Sequence, residues 1–231
     1  MANDMKDPVV DAQNGARSLF SSHTKSASDA CTDYLRSQIV SGALENNTAL
    51  VIDRIAADLG ISHTPVREAV RRLEAEGLVT YEPRRGVKVR GLNPSEFEEL
   101  LNLRKSIEPI ALAKAISIAE PGAFAEAEEN LQLWTKAVGS TEMLRRQRKF
   151  LRAMYLPSGL TRTMEVIEAN LRLIERYHQH SWQTSEKTRA KDLKLKKRIL
   201  TTCRARKEKE AIEALIVAID WGAELAREGL K

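Results

Sequence analysis

The feature that most constrains this chain is the segment 50–90, in which two short amphipathic helical patterns precede a basic hairpin pattern. The helices meet at Gly60, where the missing Cβ lets the backbone turn sharply. Ser62 is placed to accept hydrogen bonds from the free N–H groups that open the second helix. Pro65 falls in the first turn of that helix, where a missing N–H costs nothing. This order of elements predicts a winged helix-turn-helix.

The second helix of this segment combines an apolar face with a polar one. Its apolar residues recur at helical spacing, so we expect them to be buried. His63, Thr64 and Arg67 fall mainly on other faces, from which they can donate hydrogen bonds outward. The apolar residues are Val66, Ala69, Val70 and Leu73.

The hairpin is predicted from strand-like composition at 78–81 and 87–90, after Gly77 closes the helix. The turn is Arg84-Arg85-Gly86. Two arginines at the tip, beside an arginine-bearing helix, form a positive surface that can follow a phosphate backbone. Each piece alone favours a solvated basic hairpin on a small helical domain, whereas the order of the pieces favours a nucleic-acid interface.

At these residues the chain resembles the GntR family of bacterial transcription regulators. The segments 61–70 and 72–79 follow the helix-turn-helix signature of that family almost residue for residue. The resemblance implies that one serine, one threonine and one arginine of the signature contact DNA, together with the wing glycine. In this chain these residues are Ser62, Thr64, Arg67 and Gly86.

Two positions depart from the family pattern and bear on which operator is preferred. His63 stands where most members have an arginine. Asp53 occupies another position that is often arginine, and Arg54 lies one step away. We count His63 and Arg54 among the candidate DNA-binding residues, with Arg84 and Arg85 of the hairpin tip.

Composition is that of an ordinary globular protein, with 231 residues, 42% of them hydrophobic, and a mild net charge of +5. Cys31 and Cys203 are far apart in predicted helices, so we expect buried free thiols in a reducing compartment. No segment has the length of a membrane span or the pattern of a signal peptide, which predicts a cytoplasmic protein without membrane contact. Residues 1–27 lack a sustained period and are predicted to be a flexible arm.

Residues 28–91 are therefore the predicted DNA-binding domain, and residues 92–231 a second domain that is entirely helical. The fold class is mostly α: a winged helix-turn-helix followed by a bundle of about six helices. Ser95 and Glu98 form a predicted capping box at the start of the first of these helices. The six predicted helices span about 95–119, 122–138, 141–156, 161–182, 186–205 and 208–229.

Helix 95–119 resembles the opening helix of the FCD domain, the ligand-sensing domain in the FadR branch of the GntR family. The resemblance implies a domain that dimerises and senses a metabolite. Arg104 projects towards the apolar stripe of this helix, with Glu108 one turn on. A guanidinium in a bundle interior requires a partner, so Arg104 either pairs with Glu108 or holds a carboxylate effector.

Many FCD domains hold a divalent metal through an aspartate and three histidines, but this sequence does not retain those ligands. The chain has only four histidines: His23, His63, His178 and His180. We therefore expect no metal and no other cofactor. The positions that align with the four ligands are Gln147, Leu151, Lys196 and Ile219.

Three interpretations of this position in the bundle remain open. In the first, Lys196 packs its methylenes in the bundle and extends its ammonium to water. In the second, Lys196 and Arg104 supply the positive charge that a metal supplies in other FCD domains, and together they bind an organic acid. Alternatively, side chains such as Leu151 and Ile219 fill the pocket, which then senses nothing. The candidate effector-binding residues are Arg104, Gln147 and Lys196.

The sequence therefore predicts a homodimeric repressor of transcription that binds a near-palindromic operator in double-stranded DNA and responds to a small carboxylate effector. One rival is a DNA-binding dimer with a filled pocket and no effector. The other is a bundle metalloenzyme of the di-iron type, which needs two Glu-x-x-His pairs. Only Glu175 and His178 have that spacing.

Overall fold

The computed structural model describes residues 26–179 and 185–229, and these form two compact units that divide between Gly91 and Leu92. The predicted arm, apart from its last two residues, lies outside the described residues. None of the described helices is long and apolar enough to cross a membrane.

The first unit is a small helical domain with a three-stranded sheet, of which the sequence predicts the two hairpin strands. Its core includes Leu35 of the first helix and Val66 and Leu73 of the third, each at most 2% exposed. Cys31 is buried there as a free thiol, and burial raises its pKa to about 11. The elements are α1 (Ala27–Val40), β1 (Ala49–Leu50), α2 (Ile52–Leu59), α3 (His63–Ala75), β2 (Val79–Glu82) and β3 (Gly86–Val89).

The turn between α2 and α3 forms where predicted, but the capping prediction for Ser62 is wrong. Gly60 adopts the left-handed conformation, with φ of 65°, and its N–H bonds back to α2. Ser62 is the N-cap residue of α3 by backbone position, yet its side chain makes no cap hydrogen bond. Because Ser62 is exposed, water can satisfy the first N–H groups of α3, and the hydroxyl remains available to an outside partner.

The hairpin is shifted relative to the prediction. β2 and β3 pair antiparallel with Glu82 opposite Gly86, so the turn is Pro83-Arg84-Arg85 and Gly86 already belongs to β3. Arg84, at φ of 69°, takes the left-handed position of the turn that composition would assign to a glycine. The sheet order is β1-β3-β2, and β1 was not predicted because two residues are too few to show a period.

The second unit contains the six predicted helices, whose described ends lie within three residues of the prediction. Its core is continuous across the helices and includes Phe97 and Tyr177, whose rings stack at 4.8 Å between centroids. Cys203 is a buried free thiol, and burial raises its pKa to about 12. The helices are α4 (Pro94–Ile118), α5 (Ala125–Lys136), α6 (Ser140–Tyr155), α7 (Thr161–Gln179), α8 (Glu186–Arg204) and α9 (Glu208–Gly229), with a 3₁₀ turn at Leu156–Ser158.

The start of α4 corrects the predicted capping box. The cap is Asn93, whose side chain accepts a hydrogen bond from the backbone N–H of Ser95 at 2.8 Å. Pro94 begins the helix one residue earlier than expected, because its fixed φ suits the first helical position. Glu98 is therefore not at the third helical position and instead accepts from Arg227 at 2.7 Å.

Candidate nucleic-acid interface and bundle pocket

Helix α3 buries one face and exposes the other, as predicted. Val66, Ala69, Val70 and Leu73 are buried against the rest of the first unit. At the N-terminal end of the helix, Ser62, His63, Thr64 and Arg67 are all exposed. Arg67 makes no ion pair with any described residue, so its guanidinium can donate to an outside acceptor. This arrangement suits a helix that enters a DNA groove with its first turns.

The wing exposes its two arginines. Gly86 is also exposed, and a Cβ added there would meet no atom within 4 Å. The side chain of Arg85 is 84% exposed, and its Nη1 lies 3.9 Å from Glu82 Oε2, which leaves it largely solvated. Lys88 pairs with the same carboxylate more closely. The described side chains give Arg84 no ion-pair partner, so the tip retains positive charge.

Acidic residues partly neutralise the surface beside α3. His63 Nε2 lies 3.5 Å from Asp53 Oδ1, and both side chains are more than half exposed. Arg54 Nε lies 3.8 Å from Asp58 Oδ2. The two positions that depart from the family pattern are thus neighbours, and Asp53 places a negative charge next to the end of α3 that would approach phosphates.

The second unit has a small pocket inside the bundle, lined by polar and apolar side chains, with a volume of about 30 Å³. It is lined by all three candidate effector residues, which come from three helices, and also by Leu151 and Ile219. A space of this size holds water, whereas sites for small organic ligands are about ten times larger. The candidate residues are Arg104 of α4, Gln147 of α6 and Lys196 of α8.

Arg104 has an internal partner. It is buried and binds Glu108 through two contacts, Nε–Oε1 at 2.5 Å and Nη2–Oε2 at 3.1 Å. The Tyr155 hydroxyl donates to the same carboxylate at 2.6 Å. Burial by itself lowers the pKa of Arg104, but the charge and hydrogen bonds of Glu108 raise it above its ordinary value. Of the two alternatives for Arg104, the internal ion pair is the one present.

Lys196 does not extend its ammonium to water, so that interpretation is wrong. The residue is 4% exposed, its ammonium contacts Asp192 one turn earlier, and Nζ lies 4.8 Å from the centroid of the Trp134 ring. Burial lowers the pKa of Lys196, an effect that Asp192 opposes. The helix directs the side chain into the bundle, where a carboxylate and an aromatic face replace solvent.

His178 lines the pocket, whereas the sequence singled it out only as half of a Glu-x-x-His pair. It is 2% exposed, and burial lowers its pKa to about 3, aided by the charges of Arg104 and Lys196. Gly222 of α9 allows this packing, since a Cβ there would lie 3.2 Å from His178 Cε1. The apolar stripe of α7, with Leu171 and Ile174 at spacings of seven and four before His178, could have indicated that it points inward.

The residues of the pocket do not fit the metal found in many FCD domains. The four positions that align with the metal ligands do line one cavity, but Lys196 presents an ammonium and two of the others are apolar. They are Gln147, Leu151, Lys196 and Ile219. No group of three or more His, Cys, Asp or Glu side chains among the described residues could hold a metal ion. His180 lies outside the described residues. A divalent cation would also face the charges of Arg104 and Lys196, which occupy that space.

The di-iron interpretation finds no support in the surroundings of Glu175. This carboxylate is buried, with Oε1 3.1 Å from Arg148 Nε. Burial raises the pKa of Glu175 to about 7, although Arg148 and Arg172 oppose the shift. A buried carboxylate paired with arginine is not available to bridge two irons.

Comparison with known proteins agrees with both parts of the chain. Residues 27–89 match the model of the bacterial regulatory proteins of the gntR family, and residues 99–220 match that of the FCD domain. The HTH-type transcriptional regulator McbR of Escherichia coli is 30% identical over 137 residues, which are 58% of this chain and 62% of that protein. The gluconate operon transcriptional repressor of Bacillus subtilis is 36% identical over 84 residues, 36% of this chain and 34% of the repressor.

A solved structure shows the same fold over most of the chain. The structure of E. coli McbR/YncC superposes with a TM-score of 0.77 at 22% identity, covering 90% of this chain and all of that one. The sequence matches to McbR and to the gluconate operon repressor are shorter than this superposition. Each spans less than two thirds of the relative's length. With the FCD match alone covering more than half of its residues, the chain belongs to the GntR family of bacterial regulatory proteins and has an FCD domain after its winged helix-turn-helix.

Proposed function

We propose that this protein is a cytoplasmic, DNA-binding repressor of transcription, and not an enzyme. The observation that carries the proposal is the exposed N-terminal end of α3, where Ser62, Thr64 and Arg67 face outward from a buried scaffold. Membership of the family supports it, as does the name of the gluconate operon repressor. In this proposal the first turns of α3 enter the major groove, while the exposed Arg84 and Arg85 of the wing contact phosphates.

The proposal includes a homodimer, with the second unit as the dimerisation domain. Leu103 and Ile110 on α4 and Val166 on α7 are 38%, 58% and 46% exposed. These apolar side chains lie on two helices that pack against each other, and a second copy of the same surface would cover them. Two winged units would then bind the two halves of a near-palindromic operator.

For the effector we propose an organic acid that binds without metal and only after the pocket opens. The cations that would hold its carboxylate, Arg104 and Lys196, are already paired with Glu108 and Asp192. A ligand carboxylate would have to replace one of these partners, so it would favour a different bundle arrangement and thereby change operator affinity. The cavity volume of about 30 Å³ supports a second candidate, a DNA-binding dimer with a filled pocket and no effector.

The DNA-binding proposal is tested by selecting duplexes from a random pool with the purified protein and by measuring its mass in solution. We expect a near-palindromic consensus and a dimer. Arg67→Ala should weaken binding to the consensus most, whereas Arg85→Ala should weaken binding to all duplexes about equally. A monomer that retains no duplex at low ionic strength would overturn the proposal.

A thermal-shift screen with organic acids, sugar acids and acyl-CoAs distinguishes the sensing proposal from the filled pocket. An acid that raises the melting temperature of the wild type and changes operator affinity supports the sensing proposal. Lys196→Met, which removes the cation and retains the volume, should abolish that response. If no compound shifts the melting temperature, the filled pocket is supported instead.

A further inference from the structure

The net positive charge of this chain lies in the helical unit and not in the winged unit. Residues 1–91 contain 12 Lys and Arg and 12 Asp and Glu, whereas residues 92–231 contain 25 and 20. The net charge of +5 therefore arises entirely in the second range. Helix α8, Glu186–Arg204, contains eight basic residues and two acidic ones, which makes it the main source of the excess.

Four basic side chains of α8 are exposed and have no carboxylate partner among residues 26–179 and 185–229. Several arginines elsewhere on the bundle surface are paired: Arg145 binds Glu142 at 2.6 Å, and Arg227 binds Glu98 at 2.7 Å. A charge that repels its neighbours and lacks a counterion within the protein favours an external anion. The four unpaired cations are Lys187, Lys194, Lys197 and Arg198.

Three of these cations form a row on one face of the helix together with Lys191. Lys187, Lys191, Lys194 and Arg198 follow each other at spacings of four, three and four residues, which brings them to the same side. At 1.5 Å per residue the row extends over about 16 Å. Lys191 Nζ also lies 3.4 Å from the centroid of the Trp221 ring. An open groove of about 670 Å³ runs along this face, lined by Lys191, Lys194, Leu195, Lys197, Arg198, Thr201 and Thr202.

We propose that this face of α8 is a second DNA-binding surface, which contacts the sugar–phosphate backbone of duplex DNA without reading its sequence. Duplex DNA carries one negative charge per about 1.7 Å, so a row of this length meets phosphates throughout. Thr201 is exposed at the same groove, and its hydroxyl is a hydrogen-bonding group of the kind that contacts phosphate oxygens. The inference rests on the proposed function, because it assumes that the protein meets DNA.

The same row fits other anions less well. A helix that lies on an anionic membrane buries large apolar side chains beside its cations, and α8 has none among its exposed residues. A small anion needs an enclosed site with convergent donors, whereas this groove is open and its cations are spread along the helix. A linear polyanion matches both the length and the openness of the row.

The test uses two full-length triple variants that lose the same charge. In the first, Lys194→Gln, Lys197→Gln and Arg198→Gln remove three exposed cations that line the groove. In the control, Lys136→Gln, Lys149→Gln and Lys209→Gln remove three exposed lysines from α5, α6 and α9. Binding of each protein to a random-sequence duplex is measured between 50 and 200 mM salt, and the slope of log K against log salt is compared. Arg67→Ala serves as the variant of the recognition helix.

The proposal predicts that the slope of the α8 variant falls in magnitude by about 2 to 3, because each lost phosphate contact is worth about 0.9. The control variant should retain the wild-type slope, and both should retain the wild-type melting temperature. If both triple variants behave alike while Arg67→Ala weakens operator binding, the α8 surface is refuted and the regulator function stands. If the wild type binds no duplex at all, both proposals fail.

Discussion

Arg104 and Glu108, one turn apart on α4, form a buried two-point ion pair in which Nε lies 2.5 Å from Oε1. Both residues are at most 4% exposed, and the Tyr155 hydroxyl completes the shell of the carboxylate at 2.6 Å. From the sequence, Arg104 could have either an internal partner or a carboxylate effector, and in the structure Glu108 is the partner. The bundle can therefore fold around its own charges, without a ligand.

We expect Glu108→Gln to destabilise the protein by about 3 kcal/mol, because it leaves the Arg104 charge buried without a carboxylate. Urea unfolding followed by circular dichroism measures the change. Glu165→Gln, which removes an exposed partner of Arg162, is the matched control and should cost less than about 0.5 kcal/mol. Equal costs for the two variants would show that burial of the pair has no energetic consequence.

His178 should make the protein less stable in acid. In the unfolded chain its imidazole takes up a proton near its ordinary pKa of 6.5, whereas in the folded protein the pKa is about 3. Between these values the unfolded state binds more protons, so stability falls as the pH is lowered. From pH 7.5 to pH 5 this group alone should cost about 2 kcal/mol of unfolding free energy.

The variant His178→Gln isolates this contribution. Its unfolding free energy, measured in urea at the two pH values, should fall by about 2 kcal/mol less than that of the wild type. A His178→Gln variant with unchanged pH dependence would show that the imidazole is not held neutral in the fold.

Removal of metal should have no effect. The pocket presents the Lys196 ammonium and the Arg104 guanidinium where many FCD domains hold a cation. Prolonged dialysis against EDTA, followed by thermal unfolding and operator titration, should therefore leave both results unchanged. Addition of Zn²⁺ or Mn²⁺ to the dialysed protein should likewise not raise the melting temperature. A metal-dependent rise of several degrees would contradict this account of the pocket.

Asp53→Asn should strengthen DNA binding. Asp53 lies 3.5 Å from His63 at the exposed end of α3, where its negative charge opposes the approach of phosphates. An exposed charge interaction is worth about 0.2–1 kcal/mol, so we expect affinity for any duplex to rise by roughly threefold. Fluorescence anisotropy at 100 mM salt gives the comparison, with Asp220→Asn on α9 as the control. Weaker binding by Asp53→Asn would mean that Asp53 takes part in recognition.

The winged unit could be predicted almost entirely because its signals are local. The turn at Gly60, the apolar face of α3 and the hairpin follow from spacings of a few residues. The errors are equally local: the hairpin turn begins and ends one residue earlier than predicted, and Ser62 caps by position without a side-chain bond. Composition does not determine the last paired residue of a strand, because the same residues suit the strand end and the turn.

The bundle pocket was only partly predictable. Alignment with the family brings Gln147, Lys196 and their neighbours together, and the structure places them in one cavity. The contact of Lys196 with the Trp134 ring joins α8 to α5 across more than sixty residues, which no periodicity reveals. Asp192, by contrast, stands four residues before Lys196 and could have been recognised as its partner from helical spacing.

The central claim is that the exposed end of α3 reads duplex DNA, and Arg67 tests it most directly. The measurement is an anisotropy titration of the selected operator duplex with the wild type, Arg67→Ala and a control, Arg162→Ala, whose side chain is 91% exposed on the bundle. The account predicts that Arg67→Ala loses about 1–3 kcal/mol of binding free energy while the control binds like the wild type. Wild-type affinity in the Arg67→Ala variant would contradict it.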